Sequence, residues 1–147
     1  MVHALQTIQH LLRSGGTLID IHPSTGRPEI LARTNAGTQF IGYLEETDGL
    51  IEYVQAEAAL EQSIREKTFR LEYKDAFTFS TYTNTFQGLE EYLAEKWKDA
   101  ILTPQVIEKA LALQKSPAGV EEIVLVEKVT IARLRSAGNK LIQYEPR

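Results

Sequence analysis

The stretch LLRSGGTLIDIHP, residues 11–23, sets two adjacent glycines between an apolar helix end and an apolar run that closes on a histidine. A glycine pair beside a strand is either a phosphate cradle or a backbone corner, and the order of the flanking elements separates the two. Cradles put a strand before the loop and a helix after it, so that unpaired N–H groups and the positive end of the helix dipole face the anion. Here Leu5, Ile8, Leu11 and Leu12 recur at helical spacing, which predicts a helix over residues 2–13 with Arg13 at its negative end. The strand, residues 17–22, comes after the glycines. The corner therefore meets carbonyl oxygens, which repel phosphate, and one glycine supplies the left-handed turn that ends a helix. Gly37, Gly42, Gly49 and Gly88 stand alone, none in dinucleotide or Walker spacing, so no complete nucleotide cradle is encoded.

Leu18, Ile19 and Ile21 leave little polar surface on either face of that strand, which predicts an interior strand covered on both sides. The turn-rich residues 23–28 follow, then two short strands, 30–34 and 39–44, flanking Asn35-Ala36-Gly37 as a hairpin. Thr47 or Asp48 caps a helix to about residue 67, with Leu50, Tyr53, Val54, Leu60 and Ile64 at helical intervals. From Phe69 the period changes to two: Phe69, Leu71, Tyr73, Phe77 and Phe79 lie on one side of a long strand interrupted at Asp75. Asn84 or Thr85 opens a third helix and Thr103-Pro104 a fourth, with proline at its first position. EEIVLVEKVTIARLR, residues 121–135, is the most strand-prone segment, and residues 140–144 add a short piece.

The chain has 147 residues, 43% hydrophobic and 24% charged, and shows no internal repeat or linker, so it reads as a single folded domain. A formal charge of −4 without a dense basic stripe argues against nucleic acid, and Arg133 and Arg135 read as solvated strand positions. Cysteine is absent, which excludes disulfides and thiolate chemistry. The N-terminus lacks the pattern of a secretory signal, and no apolar run approaches the roughly 20 residues of a membrane span. The expectation is a cytoplasmic protein with no membrane partner.

The helix, the L-L-R-x-G-G corner and the short apolar strand ending near an acidic or histidine residue resemble the approach to the fifth strand of class I S-adenosylmethionine-dependent methyltransferases. Ser14 stands where that family usually has proline. The aromatic strand FRLEYKDAFTFSTY, the helical pair after it and EEIVLVEKVTIARLR resemble the sixth and seventh strands of such sheets, the last inserted antiparallel between the fifth and sixth. The resemblance covers most of this chain and only the C-terminal half of the family. It implies an α+β fold with a mixed sheet of about four to six strands and packed helices, like the C-terminal half of a Rossmann-like methyltransferase. The glycine-rich loop and the acidic residue that hold the family's cofactor belong to the other half and have no counterpart here. Met1 at the start of the helix before the motif fits a half-gene, a misplaced start or a separately encoded subunit.

Ligands in open α/β sheets gather beyond the carboxyl ends of parallel strands, which makes His22 the leading catalytic candidate, with Asp20 two residues away to orient it. A histidine that simply caps a loop is the bland alternative. Ser80, Tyr82 and Asn84, in the hydroxyl-rich strand end that begins at Thr78, are candidates for binding substrate. His3 and His10 lie seven apart, off the i, i+4 spacing of a two-histidine metal site, so no metal is expected. The cluster Glu45–Asp48 reads as helix capping.

These features lead to a non-catalytic methyltransferase-like remnant that associates with itself, a dimer above all, or with a partner half, and binds no cofactor alone. Two rivals remain: a methyltransferase completed by a separately encoded half that supplies S-adenosylmethionine, with His22 and the 78–84 strand end near the substrate, and a small-molecule-binding α+β protein.

Overall fold

The structure, a computed structural model, describes residues 2–48 and 50–137. In chain order its elements are α1 (Val2–Leu11), β1 (Thr17–Pro23), β2 (Glu29–Thr34), β3 (Gly37–Tyr43), β4 (Glu45–Glu46), α2 (Ile51–Arg65), β5 (Phe69–Thr83), α3 (Phe86–Lys96), β6 (Ala100–Ile101), α4 (Pro104–Gln114) and β7 (Glu122–Ser136). The fold is α+β, with a five-stranded sheet ordered β1-β7-β2-β3, β5 also pairing with β7, and a small sheet of β4 and β6. Residues 140–144, expected as a further strand piece, lie outside the described residues.

The sheet is mostly antiparallel where a mixed one was expected. Successive N–H groups of an extended chain point to opposite edges. The Ser136 N–H donates to the Gly16 carbonyl at 2.9 Å and the next, Ala137, to the Thr68 carbonyl at 3.2 Å, so β1 and β5 flank β7 on opposite sides. Beyond the end of β1 the Ser24 N–H donates to the Lys128 carbonyl at 2.8 Å, which makes β1 and β7 antiparallel. Glu72 meets Arg133 and Arg135, so β5 and β7 also oppose.

The chain forms two compact units. One comprises Met1–His22, Tyr53–Ala76 and Thr130–Arg147, and the other Pro23–Glu52 and Phe77–Val129.

In the first unit, α1 and α2 pack on one sheet face through Leu5, Ala59, Leu60, Phe69, Ala132 and Leu134, joined by Ile8, Leu12, Leu18 and Ile64. Thr130, Ala132, Leu134 and Ser136 are buried and alternate with Ile131, Arg133 and Arg135, the period of two that a one-sided sheet demands. Leu5 and Ile8 of α1, with Leu12 just past its end, lie on the buried side, but Leu11 falls on the rim and is 81% exposed, a correction to the expected stripe. The reading of β1 as an interior strand is likewise overturned. Leu18, Asp20 and His22 turn toward the helices, while Ile19 (51%) and Ile21 (58%) are exposed, and β7 is the only strand paired with β1 among the described residues. A continuous apolar run identifies a strand that can be covered on both faces; only its neighbours decide whether it is.

In the second unit, β2 pairs antiparallel with β3, with a bulge between Ile30 and Leu31, and with the first half of β7. Ile30, Ile41, Leu44, Phe86, Leu89, Val106, Ile123 and Leu125 fill its core. The Thr85 hydroxyl accepts the Gly88 N–H at 3.0 Å to cap α3, and the Thr103 hydroxyl accepts the Val106 N–H at 3.4 Å to cap α4, as expected for these residues. The start of α2 differs from expectation. Thr47 does not cap it; its N–H and hydroxyl both donate to the Asp99 carbonyl, and the helix begins only at Ile51 after Leu50 at φ 66°. Glu45, expected to serve capping, lies in β4 and pairs with Arg27. On β5, Phe69 is buried, whereas Leu71, Tyr73, Phe77 and Phe79 are all exposed, so the alternation identifies a strand without identifying a buried face.

Candidate functional site

The glycine corner sits where α1 ends. Gly15 has φ 71°, the left-handed turn, and the Gly16 N–H donates back to the Arg13 carbonyl at 2.7 Å. The Gly15 carbonyl accepts Nη1 of Arg135 at 2.8 Å. The corner thus offers an oxygen to a cation, the opposite of a cradle whose amides receive an anion.

His22 closes β1, and its two ring nitrogens each face a carboxylate. Nδ1 lies 2.6 Å from Asp20 Oδ2 and Nε2 lies 2.9 Å from Glu57 Oε2, with the imidazole side chain 12% exposed. Lys74 of β5 completes the cluster by donating to the other oxygen of Glu57. Burial alone would raise the Glu57 carboxyl, but the Lys74 hydrogen bond, with His22 behind it, holds it below its ordinary 4.5. With a carboxylate oxygen at each nitrogen, neither ring nitrogen is left open toward a substrate. The cluster is therefore arranged as a clamp of side-chain contacts joining β1, α2 and β5, and a base there would first have to shed one carboxylate.

The structure brings together His22 and Asp20, the pair singled out in the sequence. It adds Glu57 and Lys74, which were not. A signal for Glu57 exists: Tyr53, Glu57, Leu60 and Ile64 follow at spacings of four, three and four, so the carboxylate occupies a position in the helix's apolar stripe. Lys74, beside the interruption at Asp75, carries no comparable mark.

The hydroxyl-rich strand end divides. In the second unit Thr78 lines a hollow of about 410 Å³ with Gly26, Arg27, Glu29, Tyr43, Val126 and Lys128. Arg27 stacks over the Tyr43 ring at 4.3 Å and pairs with Glu45 at 2.6 Å. Ser80, Tyr82 and Asn84 do not line this hollow. Ser80 is half-buried, Asn84 is exposed, and the Tyr82 ring lies 5.4 Å beneath the Arg33 guanidinium. His3 is exposed, and His10 Nδ1 meets the Gln6 carbonyl of its own helix at 2.7 Å.

No family model and no curated protein matches the chain. Function must therefore be argued from geometry. Among the described residues no group of three His, Asp or Glu side chains is disposed to hold a metal ion, and no helix is long and apolar enough to cross a membrane.

Proposed function

We propose that this chain is a non-catalytic, methyltransferase-like protein of the cytoplasm that works by association, with a second copy of itself as the first partner. The observation that carries the reading is β1. Among the described residues its outer edge has no strand beside it, and Ile19 and Ile21 stand exposed on the strand's open face. An unpaired apolar edge is a template for another strand. The placement of β7 antiparallel between β1 and β5 supports the methyltransferase-like part of the reading, because it is the order that the resemblance implies. The engagement of both His22 nitrogens by carboxylates supports the non-catalytic part.

Light scattering coupled to size exclusion at micromolar concentration tests it: a dimer is expected, and a strictly monomeric chain overturns association with itself.

Two further readings each have an observation in their favour. The same open edge of β1 suits a separately encoded half that brings S-adenosylmethionine, and calorimetric titration discriminates: binding only after the second polypeptide is added favours it, and micromolar binding by the chain alone defeats the main reading. The hollow beside Thr78 suits a small-molecule binder, and a ligand retained through purification and displaced by Thr78→Val favours that.

A further inference from the structure

The first unit carries an imbalance of charge. The Ala137–Thr68 hydrogen bond sets Arg135 of β7 across from Arg70 of β5, and Arg133 across from Glu72. Like charges directly opposite on a sheet repel. A single carboxylate answers them: Glu72, whose side chain is 15% exposed, takes Nε and Nη2 of Arg135, Nε of Arg133 at 3.2 Å and Nη2 of Arg70 at 3.4 Å. Among the described residues three guanidiniums share one carboxylate, which leaves two positive charges unanswered there.

The three arginines are not equivalent. Arg135 also gives Nη1 to the Gly15 carbonyl at 2.8 Å, so each of its three nitrogens has a partner and the guanidinium is held, with a second N–H on Nη1 and on Nη2 still to donate. Among the described residues Arg133 and Arg70 keep donors beyond their contacts with Glu72, and their side chains are 54% and 74% exposed. A hollow of about 320 Å³ opens beside Arg70 and Arg135, lined by these two with Ser136 and Ala137. Two surplus positive charges and free planar forks match an oxyanion carrying close to two negative charges and three acceptor oxygens better than a single carboxylate. The chain's formal charge of −4 disfavours a long polyanion, so the fitting ligand is small.

We propose that Arg70, Arg133 and Arg135 form a binding site for one phosphate group, free or esterified to a small molecule, with Glu72 holding the guanidiniums together in its absence. Glycerol 2-phosphate and inorganic phosphate, titrated separately into the full chain by calorimetry at low ionic strength, test the site and distinguish ester from free anion. Saturable binding of either is expected, weakened about tenfold by Arg70→Gln and by Arg133→Gln, with lost affinity at raised salt. Both substitutions change exposed side chains, and circular dichroism verifies that the variants remain folded. No binding of either probe up to about 10 mM, or binding unchanged in the folded double variant, overturns the proposal.

Discussion

Arg135 donates Nη1 to the Gly15 carbonyl at 2.8 Å, joining β7 to the corner that ends α1 across 120 residues of sequence. The contact gives the glycine pair its meaning: the Gly15 carbonyl receives a guanidinium while the Gly16 N–H is spent on the Arg13 carbonyl at 2.7 Å, the reverse of amides held out to a phosphate.

The two glycines are expected to differ in what they tolerate. Gly15 has open space around it but a positive φ, so Gly15→Ala is expected to destabilise by about 1 kcal/mol. At Gly16 a new Cβ would lie 2.8 Å from the Arg13 carbonyl oxygen, so Gly16→Ala must move backbone and is expected to destabilise more. Urea unfolding of the two variants checks the order; equal stability would remove the geometric account of the corner.

Glu57 should make the protein acid-sensitive. Its carboxyl is held below 4.5, first by Lys74 and then by His22, so the folded state binds fewer protons than the unfolded chain in that range. The stabilisation is complete above the unfolded value and is lost as pH falls through the folded one. Glu57→Gln is expected to lower Tm at pH 7 and to flatten the decline below pH 4.5, which a Tm series from pH 7 to 3 reads directly.

Glu127 carries the opposite sign. Burial raises its carboxyl above 4.5, so charging it weighs against the folded state as pH rises through the raised value. Glu127→Gln is expected to raise Tm near neutrality, and that gain is expected to vanish well below pH 4.5. A lower Tm at pH 7 would contradict it.

Gly42 lets α4 approach β3. A Cβ there would stand 2.5 Å from Val106 Cγ2, so Gly42→Ala is expected to cost about 1–3 kcal/mol by overpacking. Pairing it with Val106→Ala removes the clashing methyl, and a double-mutant cycle should give a favourable coupling between the two changes. Additive costs would mean that glycine is required there for some other reason.

Ile19 and Ile21 should matter to association more than to folding, since both are over half exposed. Ile19→Lys and Ile21→Lys place charge on an open strand and are expected to shift the chain toward monomer in sedimentation velocity with little change in Tm. A large fall in Tm would place them in the core instead.

Much of the fold was legible because the signals are local. Period-two alternation located β5, strand propensity located β7, threonine at 85 and 103 marked the starts of α3 and α4, and Asn35-Ala36-Gly37 marked the β2–β3 hairpin. The start of α2 was misread because Thr47 has capping chemistry but finds the Asp99 carbonyl, 52 residues away, instead. Of the site, His22 and Asp20 were legible because two residues along one strand share a face. Glu57 comes from 35 residues away, and nothing in β1 announces it.

The amino-acid order alone determined which element enters the glycine corner, and hence that carbonyls and not amides gather there, because helix polarity follows chain direction. Only the tertiary structure decided that β1 lies at a sheet edge, that His22 meets a second carboxylate, and that three arginines converge on Glu72. Those outcomes depend on which distant segments pair across a sheet, a choice made by the packing of whole faces that no local pattern encodes.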